Sequence, residues 1–218
     1  MSAVNPRTVP SGFGASQPRK EDYRFVTGQG RYTDDLRLPG QAYACFVRSP
    51  HAHARILSVD ATEALAAPGV IGVLTGADYV AEGLGAMPSA WDTRSKDGAP
   101  ARIGHRPALV SGKVCYVGDH VAVVVAESRE LAKDAAELVM IDYDPLPAVS
   151  TMRDAIAAGA PPIHDVALDN RAFEWETGDR AATDAAFARA AHRVTLELEN
   201  SRLIPNAMEP RAAIGSYD

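Results

Sequence analysis

The segment Val114–Tyr143 constrains the fold of this 218-residue chain more than any other. In it Val121, Val123 and Val125 alternate with Ala122, Val124 and Ala126, so an extended backbone would present apolar side chains on both faces. Such a strand has to be covered on both sides. Ser128 stands where it can cap a helix whose Leu131, Ala135 and Leu138 fall on one side at i, i+4 and i+7. Val139–Tyr143 then returns as a strand. Strand, helix and strand within about 30 residues read as a crossover unit, right-handed if its strands are parallel neighbours in one sheet.

Upstream, the run Gln41–Arg48 lies between the turn Leu38-Pro39-Gly40 and Pro50, with Tyr43, Cys45 and Val47 on one side and Ala42, Ala44 and Phe46 on the other. Apolar residues on both sides predict an interior strand. Arg55–Val59 continues as a strand. Asp60 with Glu63 three residues later predicts a capped helix over Ala61–Ala66, ended by Pro68-Gly69 and followed by a strand over Val70–Leu74. From Gly76 to Pro107, glycines and prolines recur without usable periodicity, and this stretch is either a binding or interface segment or a mobile one.

Downstream, Pro145 and Pro147 close the strand, and a short Ala-rich helix is expected near Met152–Ala158. Pro161–Thr177 reads as a connector. Asp179–Ala191 is helical in pattern with Phe187 as its apolar anchor. In His192–Asn200, Val194, Leu196 and Leu198 alternate with Arg193, Thr195, Glu197 and Glu199, predicting a strand with one buried face. The change from two-sided to one-sided strands puts a domain boundary near 165–178. Residues 1–19 hold little that could anchor a core and read as an irregular arm, and Ser201–Asp218 read as a strand pair that stops in mid-domain.

Charge narrows the function. With 22 Lys+Arg against 28 Asp+Glu the net charge is −6, and basic residues such as Arg31, Arg48 and Arg55 stand singly. No basic stripe follows a phosphate backbone, which argues against nucleic-acid binding. Cys45 and Cys115 belong to no Cys-x-x-Cys pair and read as two buried free thiols of a reducing cytoplasm. The longest apolar run, Val121–Ala126, is far short of the about 20 residues that span a bilayer, and the first residues lack the apolar stretch of a secretion signal. The expected setting is cytoplasmic.

The residues that could carry chemistry are few. His51 and His53 stand at i and i+2, where an extended backbone would project both from one face, but no third ligand is near in sequence, so no metal site is predicted. They and Arg55 read as structural. Gly28-Gln29-Gly30 lacks the third glycine of a dinucleotide loop and reads as a turn needing positive φ. Neither a Gly-x-Ser-x-Gly elbow nor a phosphate-binding Gly-x4-Gly-Lys loop is present. The acidic pairs Asp34-Asp35, Asp142/Asp144 and Glu174/Glu176 read as solvated, and in Glu209-Pro210-Arg211 a proline fixes the backbone between opposite charges. The residues alone thus predict an α+β domain followed by an incomplete second one.

The order of motifs is more specific than any one of them. Arg19-Lys20-Glu21-Asp22, Thr27-Gly28-Gln29-Gly30-Arg31-Tyr32-Thr33-Asp34-Asp35 and Phe46-Val47-Arg48-Ser49-Pro50-His51-Ala52-His53-Ala54-Arg55-Ile56 follow one another. Then come Leu74-Thr75-Gly76-Ala77-Asp78, Tyr116-Val117-Gly118-Asp119, Ala135-Ala136-Glu137-Leu138-Val139 and Asp142-Tyr143-Asp144-Pro145-Leu146-Pro147-Ala148-Val149. This series resembles the start of the molybdenum-binding large subunit of the xanthine dehydrogenase, aldehyde oxidase and aerobic carbon monoxide dehydrogenase family.

The resemblance implies an α/β hammerhead domain over 20–150, a connector over 151–177, and the start of a molybdopterin-binding α/β domain over 178–218. There Asn206-Ala207-Met208-Glu209-Pro210-Arg211 matches a family segment, making Glu209, Pro210 and Arg211 the residues expected nearest cofactor and substrate. No catalytic residue is carried over. The family's later Gly-rich loop, pterin-phosphate segments and base glutamate have no counterpart in these 218 residues, so the chain is expected to be inactive alone. The implied reaction is oxidation of carbon monoxide, an aldehyde or a heterocycle with a molybdopterin-type cofactor. The implied partners are the remaining molybdenum-domain polypeptide, an iron–sulfur subunit and an FAD subunit in a hetero-oligomer. The alternatives are a non-catalytic docking module for such partners and a small hydrolase, for which no nucleophile arrangement is visible.

Overall fold

The valine-rich segment forms the central strand of a sheet, as its two apolar faces require. The computed structural model describes residues 12–15, 19–88, 92–200, 203–207 and 209–217; most of the predicted arm, and Met208, lie outside them. The strands are β1 Tyr43–Arg48, β2 Ala54–Asp60, β3 Val70–Thr75, β4 Lys113–Val114, β5 His120–Ala126 and β6 Met140–Pro145. The helices are α1 Asp22–Val26, α2 Thr62–Ala66, α3 Gly76–Ala81, α4 Arg129–Ala136, α5 Met152–Ala155 and α6 Arg180–Arg189. Two open three-stranded sheets, ordered β1-β5-β3 and β4-β2-β6, are antiparallel at every pairing. The fold is α+β.

This topology corrects two expectations. β5 and β6 belong to different sheets, so α4 carries the chain from one sheet to the other and no parallel crossover exists. β1 is an edge strand: Tyr43, Cys45 and Val47 are half-buried while Ala44, Phe46 and Arg48 are exposed. Its second apolar face, Ala44 and Phe46, is left exposed.

The chain divides into two compact units, one spanning Gly40–Thr195, the other comprising Met1–Pro39 with Leu196–Asp218. In the larger unit, Ala64, Ala122, Val124, Ala135 and Val139 form one buried cluster where α2 and α4 cover the first sheet. Ala54, Val110, Val114 and Val121 form a second, joined by Ile56 and Tyr143. Ser128 caps α4 through a 3.2 Å bond from the Leu131 amide, as expected, but the helix buries Ala132 and Ala135 while Leu138, beyond its end, is exposed. Asp60 is not the cap of α2; it ends β2 and accepts from the Thr62 amide at 2.9 Å, and Ala61 holds the capping position without a side-chain bond.

α3 falls in the stretch expected to be irregular. Thr75 and Asp78 form a reciprocal cap at its start, with the Asp78 carboxylate accepting from the Thr75 amide (2.8 Å) and hydroxyl (2.7 Å). α6 begins at an Asp179 cap but buries no residue, and Phe187 is exposed instead of anchoring it. Residues 192–200 form no strand: Val194, Leu196 and Leu198 are 91%, 74% and 81% exposed. Alternation gives a strand a face to bury, but a ladder needs a neighbour, and this segment pairs with none among the described residues.

In the smaller unit, the turn after α1 folds back on Phe25, which stacks on Tyr32 at 5.6 Å. Gly28 takes φ 72°, as the turn reading expects, while Gly30 is held by space: a Cβ there would lie 2.7 Å from Phe25 Cδ1.

Candidate functional site

The turn between β1 and β2 carries Ser49-Pro50-His51-Ala52-His53 and meets the turn before β5 through paired backbone bonds. The Ser49 amide donates to the Asp119 carbonyl (2.8 Å) and the Gly118 amide to the Ser49 carbonyl (2.8 Å). The Asp119 carboxylate is buried and accepts from the Cys115 amide at 3.1 Å. Ser49 Oγ accepts from the His51 amide (3.0 Å) and donates to the His51 carbonyl (3.1 Å). His53 is buried; its Nδ1 lies 2.8 Å from the Pro147 carbonyl, and its own carbonyl accepts from the Leu146 amide at 2.9 Å.

Beside this corner runs a cleft of about 910 Å³, lined among others by Phe46, Arg106, Cys115, Tyr116, His120 and His164. Phe46 stacks on His120 with ring centroids 4.5 Å apart, forming an aromatic platform at the edge of β1. Burial lowers the pKa of His120 and of His164, with Arg48 and Lys113 respectively adding to the effect. Burial raises the Cys115 thiol and the Tyr116 phenol, the latter with help from Asp119. The thiol is thus held away from its nucleophilic form. Lys113 closes one wall through a 2.8 Å ion pair with Asp165, whose pKa that contact lowers.

The sequence-predicted residues take places of their own. Glu209, Pro210 and Arg211 are exposed in the smaller unit, and Glu209 Oε1 accepts from the Thr33 amide at 3.3 Å. His51 tilts against Tyr143 at 4.9 Å while His53 turns to Pro147, so the two rings serve different contacts. No group of three metal-ligating side chains exists among the described residues. Asp142 and Asp144 are exposed on β6, as expected of solvated carboxylates. Glu174 instead pairs with Lys96 (2.7 Å) and Arg171 (2.8 Å), which lower its pKa. Cys45 and Cys115 are both free but half-buried, a correction to full burial. No helix among the described residues is long and apolar enough to cross a membrane.

Ser49 and Asp119 shape the corner, and no catalytic or binding motif in the sequence marks them. The signal available was Gly118, whose φ of 92° permits the turn that presents Asp119 to Cys115.

Comparison with known proteins supplies what this geometry lacks. Residues 27–147 match the model of the aldehyde oxidase and xanthine dehydrogenase a/b hammerhead domain. The chain is 38% identical to the carbon monoxide dehydrogenase large chain of Afipia carboxidovorans over 95% of its own length and 26% of that protein's. It is 35% identical to the nicotine 6-hydroxylase large subunit of Paenarthrobacter nicotinovorans, over 98% of this chain and 25% of that one. A crystal structure of Cu,Mo-CO dehydrogenase superimposes with a TM-score of 0.65 and 39% identity, covering 81% of this chain and 22% of the other. The chain therefore spans about a quarter of the length of these two curated relatives.

Proposed function

This chain belongs to the aldehyde oxidase and xanthine dehydrogenase family, and we propose that it is the N-terminal part of the large subunit of a molybdopterin-dependent oxidoreductase. The observation that carries the reading is that the likeness runs through nearly the whole chain and is not confined to residues 27–147. In this reading 20–150 form the hammerhead domain, 151–177 connect, and 178–218 open the molybdopterin-binding domain with Glu209, Pro210 and Arg211 nearest the cofactor. The assembled enzyme oxidises carbon monoxide, an aldehyde or a heterocycle in the cytoplasm, passing electrons to iron–sulfur and FAD partners.

The described residues do not by themselves fit a molybdopterin group. Glu209 is engaged with the Thr33 amide, and Pro210 and Arg211 are exposed. No step of the reaction is assigned to this chain. Its role is to present a rigid hammerhead against the rest of the enzyme, and alone it is inactive.

A second reading, a non-catalytic docking module, is favoured by the open face of the first sheet. Phe46 and Leu74 both stand opposite Val123 in register and are 42% and 52% exposed. An affinity pull-down at natural expression level separates the two. Co-purification of molybdenum with iron–sulfur or flavin subunits supports the enzyme reading, partner subunits without molybdenum support the module, and a chain that emerges alone and metal-free contradicts both.

A further inference from the structure

The cleft of about 910 Å³ lies wholly within Gly40–Thr195, and its size falls in the range of small-molecule sites, about 300–1,000 Å³. Phe46 lines it and remains 42% exposed although His120 stacks on its ring at 4.5 Å. The His120 ring is itself held by the Ala108 carbonyl, so the aromatic platform is fixed in place. Met87, Pro107 and Val166 add apolar surface. Arg106 also lines the cleft, while Arg48 stands opposite His120 in the β1–β5 register and donates to the Gly118 carbonyl at 3.1 Å. Both guanidinium charges act on the Tyr116 phenol, which gathers them around one end of the cleft.

Neither arginine pairs with a carboxylate among the described residues. Lys113 by contrast is tied to Asp165 at 2.8 Å, and buried Asp119 accepts from the Cys115 amide and the Tyr116 hydroxyl. Three cations, Arg48, Arg106 and Lys113, thus face two carboxylates, and one positive charge is left over in a chain of net charge −6. We propose that this cleft is a binding site for a planar aromatic monocarboxylate, its ring against Phe46 and its carboxylate on Arg106 with Arg48 beside it. A guanidinium meets a carboxylate with two parallel hydrogen bonds, and an aromatic ring gains from stacking beyond the area it buries. The single surplus charge suits a monoanion, whereas Asp119 repels a second negative charge. The volume admits two fused rings.

Calorimetric titration of the 218-residue chain with 2-naphthoate tests this, with 2-naphthamide (ring without charge), cyclohexanecarboxylate (charge without aromatic ring) and adenosine monophosphate (ring with a dianion) as comparators. The expected result is saturable one-site binding of 2-naphthoate, tighter than that of all three comparators. Arg106→Gln is expected to weaken it about tenfold or more, and Phe46→Ala about three- to tenfold. Both side chains are exposed, and thermal melts check that each variant folds. Should one not fold, amide shifts of the wild-type chain on titration decide, with changes expected at Phe46, Arg106 and His120. Absence of saturable binding, shifts elsewhere only, affinity unmoved by either substitution, or a comparator that binds as tightly as 2-naphthoate overturns the proposal.

Discussion

Val59 on β2 and Ile141 on β6 stand opposite one another in register, and each touches both buried clusters of the larger unit. The two sheets share no strand, so this half-buried pair is where packing passes from one to the other. Ile141→Ala should cost about 2 kcal/mol, the lower end for removing a core isoleucine because the site is only half-buried. Leu57→Ala, on the exposed side of β2, should cost less than about 0.5 kcal/mol. Chemical denaturation of the two variants checks the ranking.

Gly76 opens α3 where a Cβ would collide with the Val110 carbonyl, while Gly72 on β3 has open space above it. Gly76→Ala must displace backbone and should cost about 3 kcal/mol or more, or abolish folding. Gly72→Ala should be close to neutral. Expression level and denaturation midpoint of the pair would show the difference.

Stability should fall in two steps on acidification. His120 and His164 have folded pKa values below the ordinary 6.5, so below that pH the unfolded chain binds protons that the folded chain refuses. Stability is therefore full above about pH 6.5 and is lost as pH falls from there through the folded values. Asp78, Asp165, Asp169 and Glu174, all lowered by their hydrogen-bond or ion-pair partners, add a second loss below their ordinary values of 3.8 to 4.5. Melting curves of His120→Gln and His164→Gln across pH should flatten the upper step and leave the lower one.

Val194, Leu196 and Leu198 offer alternating apolar side chains to solvent with no ladder of their own among the described residues. An extended apolar segment of this kind recruits another copy. The isolated chain should self-associate with rising concentration, and Leu196→Lys with Leu198→Lys should restore a monomer in sedimentation without changing Tm.

Where the sequence was readable, local chemistry and tertiary setting agreed. The valines of β5 demanded cover on both faces and received it, and Ser128 capped α4 as its position implied. Where it misled, the pattern was sound but the neighbour was missing. Ala44 and Phe46 made β1 look interior although that side is left exposed, and the alternation at 192–200 described a face without a sheet to join among the described residues. α3 was legible in Thr75-x-x-Asp78 but was hidden by the surrounding glycines. The candidate site was less readable still, because Glu209, Pro210 and Arg211 follow from resemblance, and their one described polar contact reaches back 176 residues to Thr33.

The measurement that bears most directly on the account is molybdenum content together with dye-linked oxidation of carbon monoxide, aldehydes and heterocycles. Both would be made on the chain purified alone and on the chain isolated with its partners. The account predicts neither metal nor turnover in the first sample, and close to stoichiometric molybdenum with turnover of one substrate class in the second. Turnover by the chain alone, or a partner complex without molybdenum, would contradict it.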